Sequence, residues 1–168
     1  LTCATSSKAS NMKKFQKIKN VNTAVSYYEK MIEMKIKVNE NSLIPIVCGF
    51  AKLHEFHNVE LYHKKLLQHF QSKSEHIPIP SMNKILNCYS LLCDSKNHET
   101  KQKALNKVNT LFNSMETKTI DTYNSVLDAY ARVDNNMVKT KQFFEKEIKS
   151  NDKIKPNLQS FRSILQAC

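Results

Sequence analysis

Glycine is nearly missing from this sequence: Gly49 is the only one in 168 residues, and tryptophan is absent altogether. Tight hairpin turns draw on Gly or Asn for their left-handed positions, so one glycine and four prolines argue against a sandwich or barrel. A single glycine also excludes a Gly-rich phosphate-binding loop. No run of 18 or more apolar residues occurs, so no segment is expected to span a membrane. Cysteine is sparse and odd in number: Cys3, Cys48, Cys88, Cys93 and Cys168 are scattered. That pattern suits thiols in a reducing compartment better than a secreted disulfide framework.

What the chain does have is positive charge and helical periodicity. Lys and Arg number 26 against 15 Asp and Glu, a formal net charge of +11. A surplus of this size points to a polyanionic partner, because each phosphate neutralised releases condensed counterions. The length is enough for one domain with a real core. The first residue is Leu1 rather than Met, so the start is expected to be processed or trimmed, with no targeting segment in this chain.

Apolar spacing divides the chain into helices. Leu1 to Asn20 is poorly patterned, with Met12, Phe15 and Ile18 as its only late apolar points. Val21, Ala24, Tyr27, Tyr28, Met31 and Met34 predict a helix over 21–35. Helices follow over 41–53 (Leu43, Ile46, Val47, Phe50) and 59–70 (Leu61, Tyr62, Leu66, Leu67, Phe70). Pro45 is read as lying early enough in its helix to cost little. Residues 72–80 read as a loop, with Pro78 and Pro80 excluding helix. Further helices are expected over 81–93, over 100–115 and from Asp121, with a last apolar run through Phe143, Phe144 and Ile148.

Superposing the helix openings reveals a repeat. Leu43, Met82, Tyr123 and Phe161 coincide at intervals of 39, 41 and 38 residues. At those offsets Ile46, Ile85, Val126 and Ile164 align, as do Val47, Leu86, Leu127 and Leu165. Gly49, Cys88, Ala129 and Ala167 form a small column, expected to let the two helices of a hairpin approach closely. Phe50, Tyr89, Tyr130 and Cys168 form the next. Tyr27-Tyr28, Leu111-Phe112 and Phe143-Phe144 mark equivalent points on the second helices. Since one hairpin cannot cover its own apolar face, the expected fold is an all-α solenoid of stacked helix-turn-helix repeats. Its parts are a partial repeat over 1–39, full repeats over 40–78, 79–119 and 120–157, and the first helix of another over 158–168.

The run Thr122-Tyr123-Asn124-Ser125-Val126-Leu127-Asp128-Ala129-Tyr130-Ala131-Arg132, with Phe143-Phe144 and Lys155-Pro156-Asn157, resembles the pentatricopeptide repeat family. The likeness is close over 120–168, moderate over 79–119 and loose over 21–78. Tetratricopeptide repeats are the nearest rival, but their Trp and Leu-Gly signature is missing. The resemblance implies a right-handed superhelix that binds single-stranded RNA, one base per repeat, for RNA processing, stability or translation in mitochondria or, alternatively, plastids. It implies base reading by Asn124 with Asn157, and by Asn83 with Thr119, the latter without the usual preceding Pro. The earlier repeat offers Ile44 and Pro78, which cannot read a base edge by hydrogen bonds. The family's base-sandwiching positions hold Asn41, Pro80, Asp121 and Gln159 here. Phosphate contacts are implied for Lys52 and Arg132, with Arg162 a further cationic candidate and Leu91 at the middle repeat's site. Read as ordinary helix chemistry, Lys52 and Arg132 complement a helix C-terminus and Asn124 caps a helix start.

No catalytic residue, metal site or cofactor is expected, and no small-molecule substrate. His54-x-x-His57 brackets a turn without a cysteine pair, and Cys88 and Cys93 point to different faces. Two alternatives stand beside an RNA-binding module. One is a protein-binding scaffold, such as a subunit of an organellar ribosome or other assembly. The other is the RNA-recognition arm of a protein-only tRNA-processing nuclease, whose catalysis would have to come from residues outside these.

Overall fold

The computed structural model describes residues 3–72, 76–133 and 137–167, with side chains from Met12 onward; Cys3 and Cys168 side chains lie outside that set. All regular structure among the described residues is helical. Contacts gather into two compact units, Leu1–His76 and Ile77–Cys168, divided within the loop expected between the first two full repeats.

The first unit holds α1 (Cys3–Glu33), α2 (Glu40–Lys52) and α3 (Phe56–Gln71). The expected helix over 21–35 is only the second half of α1, which runs back unbroken to Cys3. The early stretch has a weak apolar face, but no Gly or Pro precedes Pro45, so nothing interrupts the helix. It stops in a left-handed cap: Ile36 N–H donates to Met31 O at 2.8 Å and Lys35 N–H to Ile32 O at 3.0 Å, with Lys35 at φ 56°. The end of α2 is built the same way. Glu55 N–H reaches Phe50 O at 3.1 Å, His54 N–H reaches Ala51 O at 3.0 Å, and His54 has φ 58°. Neither residue is the glycine that this conformation favours, so each cap carries a steric cost of about 1–2 kcal/mol.

Pro45 is the sixth residue of α2, not a first-turn residue as expected. Its missing N–H leaves the Asn41 carbonyl without the usual partner. Both residues are exposed, so water can take that carbonyl. The inner face of α2 (Leu43, Ile46, Val47, Phe50) packs on Val59, Tyr62, Leu66 and Phe70 of α3 and on Val21 and Tyr28 of α1. Phe50 stacks on Tyr62 at 5.5 Å, Tyr28 meets Tyr62 edge-on at 6.0 Å, and the Lys65 ammonium covers both tyrosine rings. Tyr27, read as an inward residue, is 64% exposed beside the buried Tyr28.

The second unit holds α4 (Ile79–Leu92), α5 (His98–Ser114), α6 (Ile120–Arg132), α7 (Met137–Phe143), a π-helical segment (Phe144–Lys149) and α8 (Leu158–Gln166). Here the loop reading is corrected at Pro80, while Pro78 stays outside the helix as expected. Pro78 is the N-cap residue and Pro80 the second residue of α4, where a helix needs no N–H. Leu43, Met82, Tyr123 and Phe161 are each the fourth residue of their helix, which is why their columns align. Ile85, Leu86, Val126 and Leu127 are fully buried, with α4 packed on α5 and α6, and α6 on α8.

Tyr123, Leu127, Phe144 and Ile148 form a core cluster, with Phe112, Phe143 and Ile164 packed against it. At some 1.5–3 kcal/mol per buried side chain, this cluster is a main source of the unit's stability. Thr140, Phe144 and Ile148 are buried at intervals of four. That period drifts off one face of a 3.6-residue helix, and the wider π turn keeps all three facing inward. The expected equivalence of the aromatic pairs fails at α5, where Leu111 is buried and Phe112 half-exposed, while α1 and the π segment bury their second members.

Gly49 corrects another expectation. A Cβ there would lie 2.6 Å from Val21 Cγ2, so the close approach is to α1, not to the hairpin partner α3. Gly49→Ala should therefore lose stability, with overpacking of about 1–3 kcal/mol outweighing the ~1 kcal/mol gain in helix propensity. In a Val21→Ala background the same change should stabilise. Chemical denaturation of the four variants reads the reversal; destabilisation of equal size in both backgrounds would contradict it.

Candidate functional site

Helices α6 and α8 both begin on a capping box, in which the N-cap and third residues satisfy each other's backbone N–H groups. At α6, Thr119 N–H donates to Thr122 Oγ1 at 3.0 Å. At α8, Asn157 N–H donates to Ser160 Oγ at 3.1 Å and Ser160 N–H to Asn157 Oδ1 at 3.2 Å. Thr119 and Asn157, expected as base-reading partners, are thus both N-cap residues.

Each box is reached by an asparagine from the preceding first helix. Asn83 on α4 donates Nδ2–H to Thr119 Oγ1 at 3.0 Å and accepts from Thr122 Oγ1 at 2.7 Å. Asn124 on α6 donates to Asn157 Oδ1 at 3.0 Å and accepts from Ser160 Oγ at 2.7 Å. The structure therefore brings both expected pairs together, in the same way, at the starts of α6 and α8. It also corrects the capping reading of Asn124, which is 4% exposed and secures the start of the next helix instead of its own.

The hydroxyls completing these circuits went unnoticed in the sequence, although the signal was there. Ser42, Ser81, Thr122 and Ser160 stand one residue before the aligned column, so every first helix has a hydroxyl at its third position. A second link was also missed. The carboxylate of Asp128 accepts from Gln159 Nε2 at 3.0 and 3.2 Å and from Ser163 Oγ, joining α6 to α8 a turn deeper.

These groups open on a groove of about 880 Å³ in the second unit. Four carboxamides line it (Asn83, Asn87, Asn124 and Gln159) with Thr119 and Ser125, alongside the apolar Ile79, Pro80 and Leu91. The charged lining residues cancel: Lys84 and Arg132 against Asp121 and Asp128. Arg132 is half-buried, and its Nε is buried with no hydrogen-bond partner among the described residues. Lys52 is exposed at the end of α2 in the first unit, and Arg162 is exposed on α8 outside the groove lining. Of the three phosphate candidates, only Arg132 accompanies the asparagine pairs.

Among the described residues no cluster of three metal-ligating side chains occurs, and no helix is long and apolar enough to cross a membrane. The chain matches no protein-family model and no curated protein.

Behind the groove, Cys93 is fully buried, its Sγ directed at Tyr89 O. Burial pushes the thiol up from about 9 to about 12, against the opposing pull of Arg132 and Lys101. The folded thiol holds its proton to higher pH than the unfolded one. Its contribution is therefore intact below about pH 9 and lost as pH rises toward 12. Burial also raises Tyr28, Tyr62 and Tyr130, which adds to the alkaline loss. Denaturation between pH 8 and 11 (from about one unit below the thiol's onset to about two above it) should show a falling stability whose slope is shallower in Cys93→Ala. An unchanged slope would place the loss elsewhere.

Proposed function

We propose that the chain is an RNA-binding helical-repeat module of the pentatricopeptide type, its hairpins stacked as a solenoid, acting in organellar RNA processing, stability or translation. One observation carries the reading. Two asparagine-centred pairs, Asn83–Thr119 and Asn124–Asn157, occupy the same place in consecutive repeats beside one groove that Arg132 also lines. Spaced amide and hydroxyl groups suit base edges presented by a single strand, and the half-buried Arg132 side chain brings a cation for a phosphate to the groove lining. The succession α4, α6, α8, each packed on the next, is what a stack of repeats requires. The +11 charge favours a polyanion at long range. The organelle, with mitochondria ahead of plastids, rests on the family resemblance alone.

The test is binding of a single-stranded oligoribonucleotide followed by fluorescence anisotropy across a salt series. Affinity should fall steeply with salt, and Arg132→Glu should weaken binding by about tenfold, with a shallower salt slope by about one contact. Absent or salt-insensitive binding would defeat the proposal. The cancelled charge of the groove favours a second reading, a protein-binding scaffold. A stoichiometric protein partner that survives nuclease treatment would support it.

A further inference from the structure

The hydrogen bonds around Asn124 and Asn157 run in one direction only. A backbone N–H has no choice of role, and Ser160 N–H points at Asn157 Oδ1. That fixes the Asn157 amide with its oxygen inward. The Asn124 atom 3.0 Å from this oxygen must then be Nδ2, and Asn124 Oδ1 turns to Ser160. The Ser160 hydroxyl already accepts from Asn157 N–H, so its proton goes to Asn124 Oδ1. The α6 box has the corresponding bonds: Thr122 Oγ1 accepts from Thr119 N–H and gives its proton to Asn83 Oδ1, while Asn83 Nδ2 donates to Thr119 Oγ1.

We infer that Ser160 and Thr122 are positioning residues that hold the groove amides in a donor-outward orientation, so that the site selects ligand groups that accept hydrogen bonds. Both Asn124 and Asn83 spend their oxygen and one N–H internally and retain one N–H each. Asn157 is exposed; it spends its oxygen twice over and keeps both Nδ2 protons. With the hydroxyl removed, Asn124 Oδ1 loses its donor, and the amide is free to turn and offer an acceptor instead. This rests on the groove being the RNA site, but the orientation itself is a property of the free protein.

Uracil and cytosine make a discriminating pair of probes, because they place their acceptors differently: uracil at positions 2 and 4 with a donor between them, cytosine at positions 2 and 3 with a donor at 4. Wild type, Ser160→Ala and the hydroxyl-retaining Ser160→Thr are compared for binding to oligouridine and oligocytidine, with thermal stability measured alongside. With its donors held in one direction, wild type should bind the two oligonucleotides unequally. The ratio should move toward one in Ser160→Ala and return in Ser160→Thr, irrespective of the change in stability. If all three bind RNA with the same ratio, the inference is wrong and the RNA-binding reading survives. If none binds RNA, that reading fails, and nuclear magnetic resonance of the free protein decides the rest. The Asn124 side-chain amide protons should exchange with solvent ~5–10-fold faster in Ser160→Ala than in wild type, in keeping with one lost hydrogen bond. Equal exchange would overturn the orientation.

Discussion

The second unit depends on a small closed circuit: an asparagine side chain from one helix inserted into the capping box of another. Four polar groups are satisfied at once at Asn124, Asn157 and Ser160, two of them backbone N–H groups that a helix start otherwise leaves unpaired. A typical intramolecular hydrogen bond contributes about 1 kcal/mol net, whereas a buried group left unpaired costs about 1–3 kcal/mol. With Asn124 and Ser160 both buried, the circuit is worth more as protection against unpaired groups than as attraction. Because it joins α6 to the first residues of α8, it also fixes where the second helix starts relative to the first. The Asn83–Thr119–Thr122 circuit does the same between α4 and α6. Apolar contacts of the column that holds Leu86 and Leu127 are non-directional and would tolerate sliding; the amide circuits set the register.

Most of the helices were legible from periodicity, because their apolar residues recur on one face with few alternatives. The positions that misled are those where local chemistry and tertiary contact pull apart. Pro80 looks like a helix breaker in isolation, yet it is harmless two residues into α4. The weakly patterned Thr-, Ser- and Asn-rich start of α1 is helical through the absence of any breaker, which a search for apolar faces cannot detect. Gly49 was recognised as a close-approach residue, but a column of small residues does not say which neighbour approaches, and Val21 lies 28 positions away. The candidate site was half legible. The family resemblance pointed to Asn83 and Asn124 and their partners, while the hydroxyl column went unread because an exposed-looking Ser or Thr at a helix start has many ordinary uses. The Asp128–Gln159–Ser163 link depends on three-dimensional register alone.

The two circuits also constrain how any ligand could use the groove. An amide already engaged on both its atoms does not act as a freely adaptable reader, since rotating it would leave a buried hydroxyl and a neighbouring amide without partners. A ligand in the groove would meet what the circuits leave over, namely N–H groups in a fixed direction. This is preorganisation: the side-chain entropy is spent on folding and not on binding, so contacts made by these donors lose less on complex formation. The arrangement gives directionality in exchange for versatility.

Charge adds the complementary half of the argument. The basic surplus of the chain is not concentrated in the groove, where Lys84 and Arg132 face Asp121 and Asp128. Lysines 13, 14, 17 and 19 stand exposed on α1, and no acidic residue precedes Glu29 in the sequence. Fields from such residues are screened over about 8–10 Å at physiological salt, so they raise the local concentration of a polyanion without orienting it. Asp121 and Asp128 would repel a phosphate brought into the groove itself, and Asp128 is held there by Gln159 and Ser163. A strand bound along this surface would therefore keep its phosphates toward Arg132 and the outer margin and turn its bases inward. Sequence-independent attraction and directional recognition then reside on different residues, and salt should act on the first far more than on the second.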